Sequence, residues 1–574
     1  EPLGNHAMRQ LAASLLFAGD HLPAAVLDQL AALAGGNPGL LAELIRALKH
    51  EEEGHPRPDR RSHELAMEAI ERLPATAAGR WDASIALAGL PDELAAFARA
   101  ASACGRIIGE GELAWVTRAL ALEGPGGLAD ARAALRELAA RGLVVDRGGD
   151  SWAFVSPLVQ DAIYRAMPAA ERERIHLHAL DYWHSREGAH AMAAVVRHAG
   201  LAGAHAEAAA TAVTLAEAAA AAHREFEAER WYSAALLHVA DPSIRARALA
   251  GRGRVRWRLD RGPEALSDLA DARVLAHQLG DPARVASILL DEAMVLDWFF
   301  DYAASAERVA ESRPLVEASG DATLCGRLLV ATGRTHWRQE SVSEALAAFA
   351  ESATRPLDGE SRLIALLLRA SALCRAGKLD DAEQTFTEAE HLAEAMEDRL
   401  YQCALHVNRF MLWMARDDPE RGADDLRRAV RLARELGHPA LEWAGAHNLA
   451  EVLHCGGRDA EALPLAIRSF ELQQRYVSRP GPEVALLLGR IAVGLGDRES
   501  AGRYLAWVEA HKELADAPPT SRVFHRALDL LQHRGAAEAW DEVVADATAA
   551  RLQPIELFEI LYLRALCEVE SERV

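Results

Sequence analysis

The chain has 574 residues, half of them hydrophobic and 26% charged, with a formal net charge of -22. That length admits several domains or one long repeat array; the apolar half excludes wholesale disorder, and the acidic balance excludes a chain that coats nucleic acid or an anionic membrane along its whole length. No run of about 18 uncharged apolar residues appears, so no membrane span is expected, and the six scattered cysteines contain no CxxC pair that would suggest a zinc knuckle or a disulfide framework.

The first fifty residues carry a helical pattern. Asn37 is the expected N-cap and Pro38 the first helical residue, ahead of Leu40, Leu41, Leu44, Ile45 and Leu48. The run Ala34-Gly35-Gly36-Asn37-Pro38-Gly39 is a glycine-rich loop at a helix N-terminus, a place where phosphate can be cradled. It is not a Walker loop, because GxxxxGK[ST] occurs nowhere in the chain. Residue 1 is Glu, with no signal peptide ahead of the helical pattern, so the chain is expected to be the C-terminal part of something longer. The apolar residues Leu11, Leu15, Leu16, Leu40, Leu41, Leu44, Ile45 and Leu48 would then face a missing partner. Residues 51–62, with Pro56, Pro58 and alternating charges, read as a solvated linker.

Residues 92–104, 110–121 and 128–141 read as three short helices. Leu143–Val145, a turn over Asp146–Asp150 and Ser151–Val155 read as a strand hairpin, and helices follow at 157–167 and 170–186. Three helices and a hairpin make a winged-helix arrangement. Its third helix sets Arg132, Arg136 and Arg141 against Asp130 and Glu137, a thin positive balance that argues against direct DNA binding.

From residue 206 to the end the chain repeats. A small residue is followed 7, 12 and 16 positions later by three further markers: Gly253, Asp260, Ala265, Leu269; Gly333, Glu340, Ala345, Phe349; Ala370, Gly377, Ala382, Phe386; Ala450, Gly457, Ala462, Ala466; Gly489, Gly496, Ala501, Leu505. Weaker copies start at Ala216, Ala293, Met411 and Leu528, giving spacings of 37, 40, 40, 37, 41, 39, 39 and 39 residues. The spacing predicts helical hairpins. Small residues stand where paired helices cross, the second marker ends the first helix in a left-handed cap that suits glycine, and the fourth fills the groove between neighbouring hairpins. The pattern resembles the tetratricopeptide repeat with a slightly longer period.

The GNP helix (Asn37, Pro38), the closure of the winged helix over Phe154–Tyr164 with Glu171–His176, and the repeats follow one another in an order that resembles the bacterial signal-transducing ATPases with numerous domains, the STAND class of AAA-type regulators, with the ATPase core missing. The resemblance implies an all-α chain, a winged-helix domain followed by an α-solenoid of tetratricopeptide-like hairpins. It divides as a helical tail of a nucleotide-binding domain (1–55), a linker and connecting helix (56–90), the winged helix with trailing helices (91–187) and the solenoid (188–574). In that family the proline of the GxP motif contacts the nucleotide base, which carries over to Pro38. A winged-helix histidine often senses the phosphates; Ser156 stands at its aligned position and Gln160 at that of the usual basic residue, and neither supplies charge.

The implied function is the regulatory and sensor part of such an ATPase. The solenoid would bind a partner protein or small-molecule inducer, and the winged helix would couple to nucleotide state. The alternative is a stand-alone repeat scaffold for protein–protein interaction. Without a phosphate loop the chain is expected to be no enzyme by itself and to hold no cofactor or metal, ATP or ADP belonging to the longer protein and its N-terminal ATPase domain. Only three lysines among 63 basic residues, with abundant alanine, point to a GC-rich bacterial genome, and scattered cysteines fit a cytoplasmic setting. Ile288–Glu292 imitates a Walker B strand but falls within a repeat helix; His176 and His178 lie two apart and diverge on a helix, unsuited to a metal. Trp231, Trp257, Trp298, Trp337, Trp413 and Trp443 fall at helix-packing positions.

Overall fold

The computed structural model describes residues 89–120, 127–149, 151–155, 157–476, 481–511, 517–550, 552 and 554–572, with Gly4, Ala7, Met8, Gln10, Leu11, Ala31, Pro38, Leu41, Ala42 and Ile45 ahead of them. The chain separates into two compact units, Glu1–Leu215 with Ala234–Ala240, and Ala216–Ser233 with Asp241–Val574.

In the first unit, helix α1 (Asp92–Ser102) leads through strand β1 (Ile107–Ile108) into α2 (Glu110–Ala119) and α3 (Gly127–Ala140), then β2 (Val144–Gly148) and β3 (Ser151–Phe154). Helices α4 (Pro157–Arg165), α5 (Ala169–His184) and α6 (Ala189–Leu201) follow. The strands form one antiparallel sheet in the order β1-β3-β2, with Ile107 opposite Ala153 and Val144 opposite Phe154. The sequence misses β1, because two residues are too few to show alternation. The β2–β3 turn is as expected: Gly148 and Gly149 have φ of +81° and +63°, and the Asp146 carboxylate accepts from the Gly148 N–H at 2.8 Å. Trp115, Phe154, Ile108, Leu135 and Phe97 fill the core between sheet and helices. Of the apolar residues named near the N-terminus, Leu41 and Ile45 are buried and Leu11 is half-buried; the other five lie outside the described residues, as does the linker expected at 56–90 apart from Gly89 and Leu90.

Helical hairpins begin with α7/α8 (His205–Ala221, Glu225–His238), followed by α9/α10 (Pro242–Arg258, Gly262–Gln278), α11/α12 (Pro282–Trp298, Tyr302–Ser319) and α13/α14 (Ala322–Arg338, Val342–Ser352). Then come α15/α16 (Gly359–Arg375, Leu379–Ala395), α17/α18 (Arg399–Ala415, Pro419–Leu436) and α19/α20 (Pro439–Cys455, Asp459–Tyr476). The series ends with α21/α22 (Glu483–Gly494, Arg498–His511), α23/α24 (Pro519–His533, Ala537–Ala549) and a single helix α25 (Pro554–Glu572). The fold is a solenoid of tetratricopeptide-like hairpins.

Each hairpin turns the same way. His223, Asp260, Phe300, Glu340, Gly377, Asp417, Gly457, Gly496 and Arg534 all have φ between +50° and +78°. In all nine turns the next N–H bonds back to a carbonyl five residues earlier at 2.8–3.0 Å, as in Arg261 to Arg256 and Lys378 to Leu373, the six-to-one bond of a Schellman cap. Two registers need correcting. The left-handed residues place the sixth and ninth copies on Phe410 and Ala527, one residue before the expected Met411 and Leu528, so that Leu426 and Val543, both fully buried, become the fourth markers. Glycine is also less general than expected. It occupies three of the nine turns, and the other six hold a side chain in αL, a conformation that costs L-residues roughly 1–2 kcal/mol.

The crossing positions behave as the spacing predicts. Ala216, Ala293, Ala370, Ala450, Ala265, Ala345, Ala382 and Ala462 are fully buried. At Gly253 an added Cβ would lie 3.1 Å from the Ala265 carbonyl and 2.8 Å from Leu269 Cγ; at Gly333 it would lie 2.6 Å from the Phe349 ring. The fourth marker therefore covers the first marker of its own hairpin, where the sequence reading put it between hairpins. Acidic N-caps start most first helices: Asp241, Asp281, Asp321, Asp358 and Asp398 each accept from N–H groups two or three residues on.

Replacing Ala382 or Ala462 by Leu forces three extra carbons into a helix crossing and is expected to cost about 1–3 kcal/mol. Unfolding midpoints in urea check this, and unchanged midpoints for both variants would refute the register.

Candidate functional site on the inner face of the solenoid

In the second unit the first helices of successive hairpins touch one another, α11 with α13, α13 with α15, α15 with α17 and α17 with α19, which places them on the inner side of the curve. Several largely buried ion pairs join these helices. Arg258, the last residue of α9, is 10% exposed and reaches helices far along the chain. Its Nη2 donates to both carboxylate oxygens of Asp398 at 2.8 Å, its Nη1 to Glu360 at 2.8 Å and its Nε to Glu225 at 2.6 Å. Burial opposes its charge, but the carboxylates of Glu360, Asp398 and Glu225 outweigh burial and raise its pKa.

Asp398 is fully buried and performs two tasks, because the same carboxylate caps α17 by accepting from Leu400 and Tyr401 N–H. The C-terminal end of α9 thus meets the N-terminal end of α17, so the Arg and Asp also match the two helix dipoles. One hairpin further on, the contact recurs with aromatic groups. Trp298 stands 6.2 Å from the ring of His438, the N-cap of α19, and the Phe300 ring, carried out of its left-handed turn, stands 6.1 Å from Trp443. Trp298 also packs 5.4 Å from Trp257. The inner face is therefore bridged from the second hairpin to the sixth and from the third to the seventh.

Between these bridges lies a polar stretch. Asp291 is held by Arg327 at 2.6 Å and Arg254 at 3.6 Å, and Asp297 by Arg338 at 2.9 Å. Glu292 is paired with Arg273 and Arg308. The Walker-like Asp291-Glu292 thus lies on helix α11 with both carboxylates engaged by arginines. Arg334 differs from its neighbours. Its side chain is 3% exposed, its Nη1 meets only the Met294 sulfur at 3.0 Å, its Nε lies 3.7 Å from Asp297, and Nε and Nη2 make no hydrogen bond. Burial lowers its pKa against the pull of Asp297, yet an arginine stays charged, so two buried nitrogens of a cation are left without a hydrogen bond. Tyr401, buried beside Glu360, has its pKa raised by burial and by that carboxylate.

At the far end, α25 brings Glu559 against Arg490, 2.9 Å from its Nε, and against His454 Nε2 at 3.0 Å. Burial would raise the Glu559 pKa, but Arg490 and His454 outweigh it and lower it to about 2. His454 moves upward: burial lowers it, and Glu559 and Asp459 more than compensate.

The two residues expected to meet a nucleotide are placed only in part. Pro38 is helical and exposed, and Ser156 lies outside the described residues. Gln160 donates its side-chain amide to the Ser102 carbonyl at 2.6 Å, so it serves the packing of α4 on α1. His176 is fully buried and bonded to Tyr164 and His198 at 2.8 Å each; burial, with Arg197 and Arg172, lowers its pKa to about 4. On α3, Arg132 pairs with Glu110, and just past its end Arg141 pairs with Glu137. Arg334 and the Arg258 bridge were not singled out from the sequence.

No protein-family model matches the chain, and no curated protein matches it in sequence. Among solved structures it is similar to a signal transduction ATPase with numerous domains from Pyrococcus horikoshii that carries a tetratricopeptide repeat sensor, at 13% identity and a TM-score of 0.47 over 91% of this chain and 75% of that one. It is also similar to the Rap conjugation gene regulator of plasmid pLS20 in complex with a Phr peptide, at 12% identity and a TM-score of 0.42 over 64% of this chain and 95% of that one. A tetratricopeptide repeat protein from Parabacteroides merdae aligns over 46% of this chain and 93% of its own, at 14% identity and a TM-score of 0.30. The likeness is one of fold. Among the described residues no helix is long and apolar enough to cross a membrane.

Two outcomes follow from these charges. Arg258→Met leaves Asp398 buried without its main partner and is expected to cost roughly 3–5 kcal/mol. Arg258→Met combined with Asp398→Asn, which keeps the cap but drops the charge, is expected to recover most of that loss. A double-mutant cycle from urea midpoints measures it, and strictly additive losses would count against the bridge. For Glu559 the folded pKa lies below its ordinary 4.5, so its contribution is present above that value and disappears as pH falls toward about 2. Roughly 3 kcal/mol is at stake, and Glu559→Gln should flatten this acid limb in midpoints recorded at about pH 5, 3 and 2.

Proposed function

We propose that the chain is the sensor and regulatory part of a signal-transducing ATPase of the STAND type, working in the bacterial cytoplasm. The solenoid receives a partner protein or inducer on its inner face. The first unit acts as a winged helix that couples this event to nucleotide held by an ATPase domain outside the chain. The observation that carries the binding half of the reading is Arg334, a buried guanidinium whose Nε and Nη2 make no hydrogen bond, with Asp297 at ion-pair distance from Nε. A carboxylate or backbone carbonyl of a ligand supplies what the fold leaves out. The coupling half draws on the helix, strand and hairpin order of the first unit, on the sequence resemblance, and on Pro38 standing exposed at a helix position. Arg132 and Arg141 are paired with acids, which favours a role in packing over one in DNA binding.

Arg334 separates this reading from a purely structural one. Asp297 keeps Arg338 as its partner, so Arg334→Met strands no charge. It is expected to stabilise the unliganded chain by about 1–3 kcal/mol, whereas a structural arginine would lose stability on the same change. The nucleotide half is tested on a longer protein that includes the upstream segment. It should bind ADP, weakened by Pro38→Ala, while the 574-residue chain turns over no ATP. Turnover by the chain that Asp291→Asn abolishes would overturn the assignment, and an upstream segment without a Walker loop would favour the stand-alone scaffold.

A further inference from the structure

Helix α14 has 11 residues, where α10 and α16 have 17. The cause is local. Pro356 bars the helical conformation at Arg355, and the chain does not resume a helix until Asp358 caps α15. The missing turns leave a cleft of about 360 Å³ beside α15 and α16, at the low end of volumes that hold small molecules. Phe349 and Leu366, both buried, are among its apolar lining. Arg355, Arg362 and Arg369 also line it, and Glu388 is the one acid among the lining residues, so three positive charges meet one negative in a chain whose net charge is -22. Arginines 258, 327 and 338 each hold a carboxylate, whereas no carboxylate lies within ion-pair distance of these three among the described residues.

A guanidinium presents a planar fork that matches the oxygens of a phosphate or carboxylate, and an excess of two positive charges matches a dianion. We infer that this cleft binds a phosphomonoester with an apolar body, the phosphate at Arg355, Arg362 and Arg369 and the body against Phe349 and Leu366. The site is separate from the inner face, and its failure would leave the Arg334 test untouched.

Calorimetric titration of the chain with phenyl phosphate is the direct test. Saturable binding at one site is expected with a dissociation constant of about 1 mM or tighter, weakening as salt is raised. Arg362→Gln with Arg369→Gln should weaken it at least about tenfold, a loss of ~1.4 kcal/mol. Arg362 is exposed and Arg369 half-buried, and an unchanged melting curve verifies that the double variant folds. Inorganic phosphate and benzoate should each bind at least about tenfold more weakly, which separates the ester from free phosphate and from carboxylates. Absence of binding, binding that survives the double substitution, inorganic phosphate as tight as the ester (an adventitious ion only) or benzoate as tight would each overturn the inference.

Discussion

Two antiparallel helices that cross at alanine or glycine approach until backbone nearly meets backbone, as where a Cβ on Gly253 would come 3.1 Å from the Ala265 carbonyl. That approach fixes how far apart the paired residues stand in sequence, and so it fixes the turn. Only a left-handed residue seven positions on, with its six-to-one hydrogen bond, reverses the chain quickly enough for the second small residue to arrive at the crossing. The close approach is needed in every hairpin, whereas glycine in the turn is not. Asp260, Phe300, Glu340, Asp417, Arg534 and His223 accept the αL conformation because the packing on either side determines it.

This constraint explains why the repeats were legible in the sequence. Small residues and their spacing are local, and so are the aspartates that cap the first helices, two of them followed directly by proline, Asp241-Pro242 and Asp281-Pro282. The errors of one residue at Met411 and Leu528 arose where the left-handed residue is not glycine: Asp417 and Arg534 hold that position, and in the second case Gly535 stands one residue later and draws the register with it. The two-residue strand β1 escaped notice because two residues are too few to show alternation.

The inner face was not legible. Arg258 lies 140 residues from Asp398, and no local pattern records that the curve of the solenoid brings the end of α9 to the start of α17. Trp298 and Trp443 were placed among packing residues, and so they are, but their partners belong to distant hairpins. Arg334 looks like any arginine on a helix; only the arrangement around it shows that two of its nitrogens make no hydrogen bond. The cleft by α14 did leave a trace, the short 37-residue spacing from Gly333 to Ala370 with Pro356 inside it, but the convergence of three arginines there depends on α15 and α16 packing side by side.

The bridges from the second hairpin to the sixth, and from the third to the seventh, change what kind of object the repeat array is. In an open array each repeat meets only its neighbours, so units can be duplicated, lost or frayed one at a time. Here a hairpin inserted between the second and the sixth would carry Arg258 past Asp398 and misalign Trp298 and Phe300 with His438 and Trp443. Growth by duplication is confined to the ends. Within the bridged segment hairpins four apart touch directly, so the contacts close on themselves as they would in a ring.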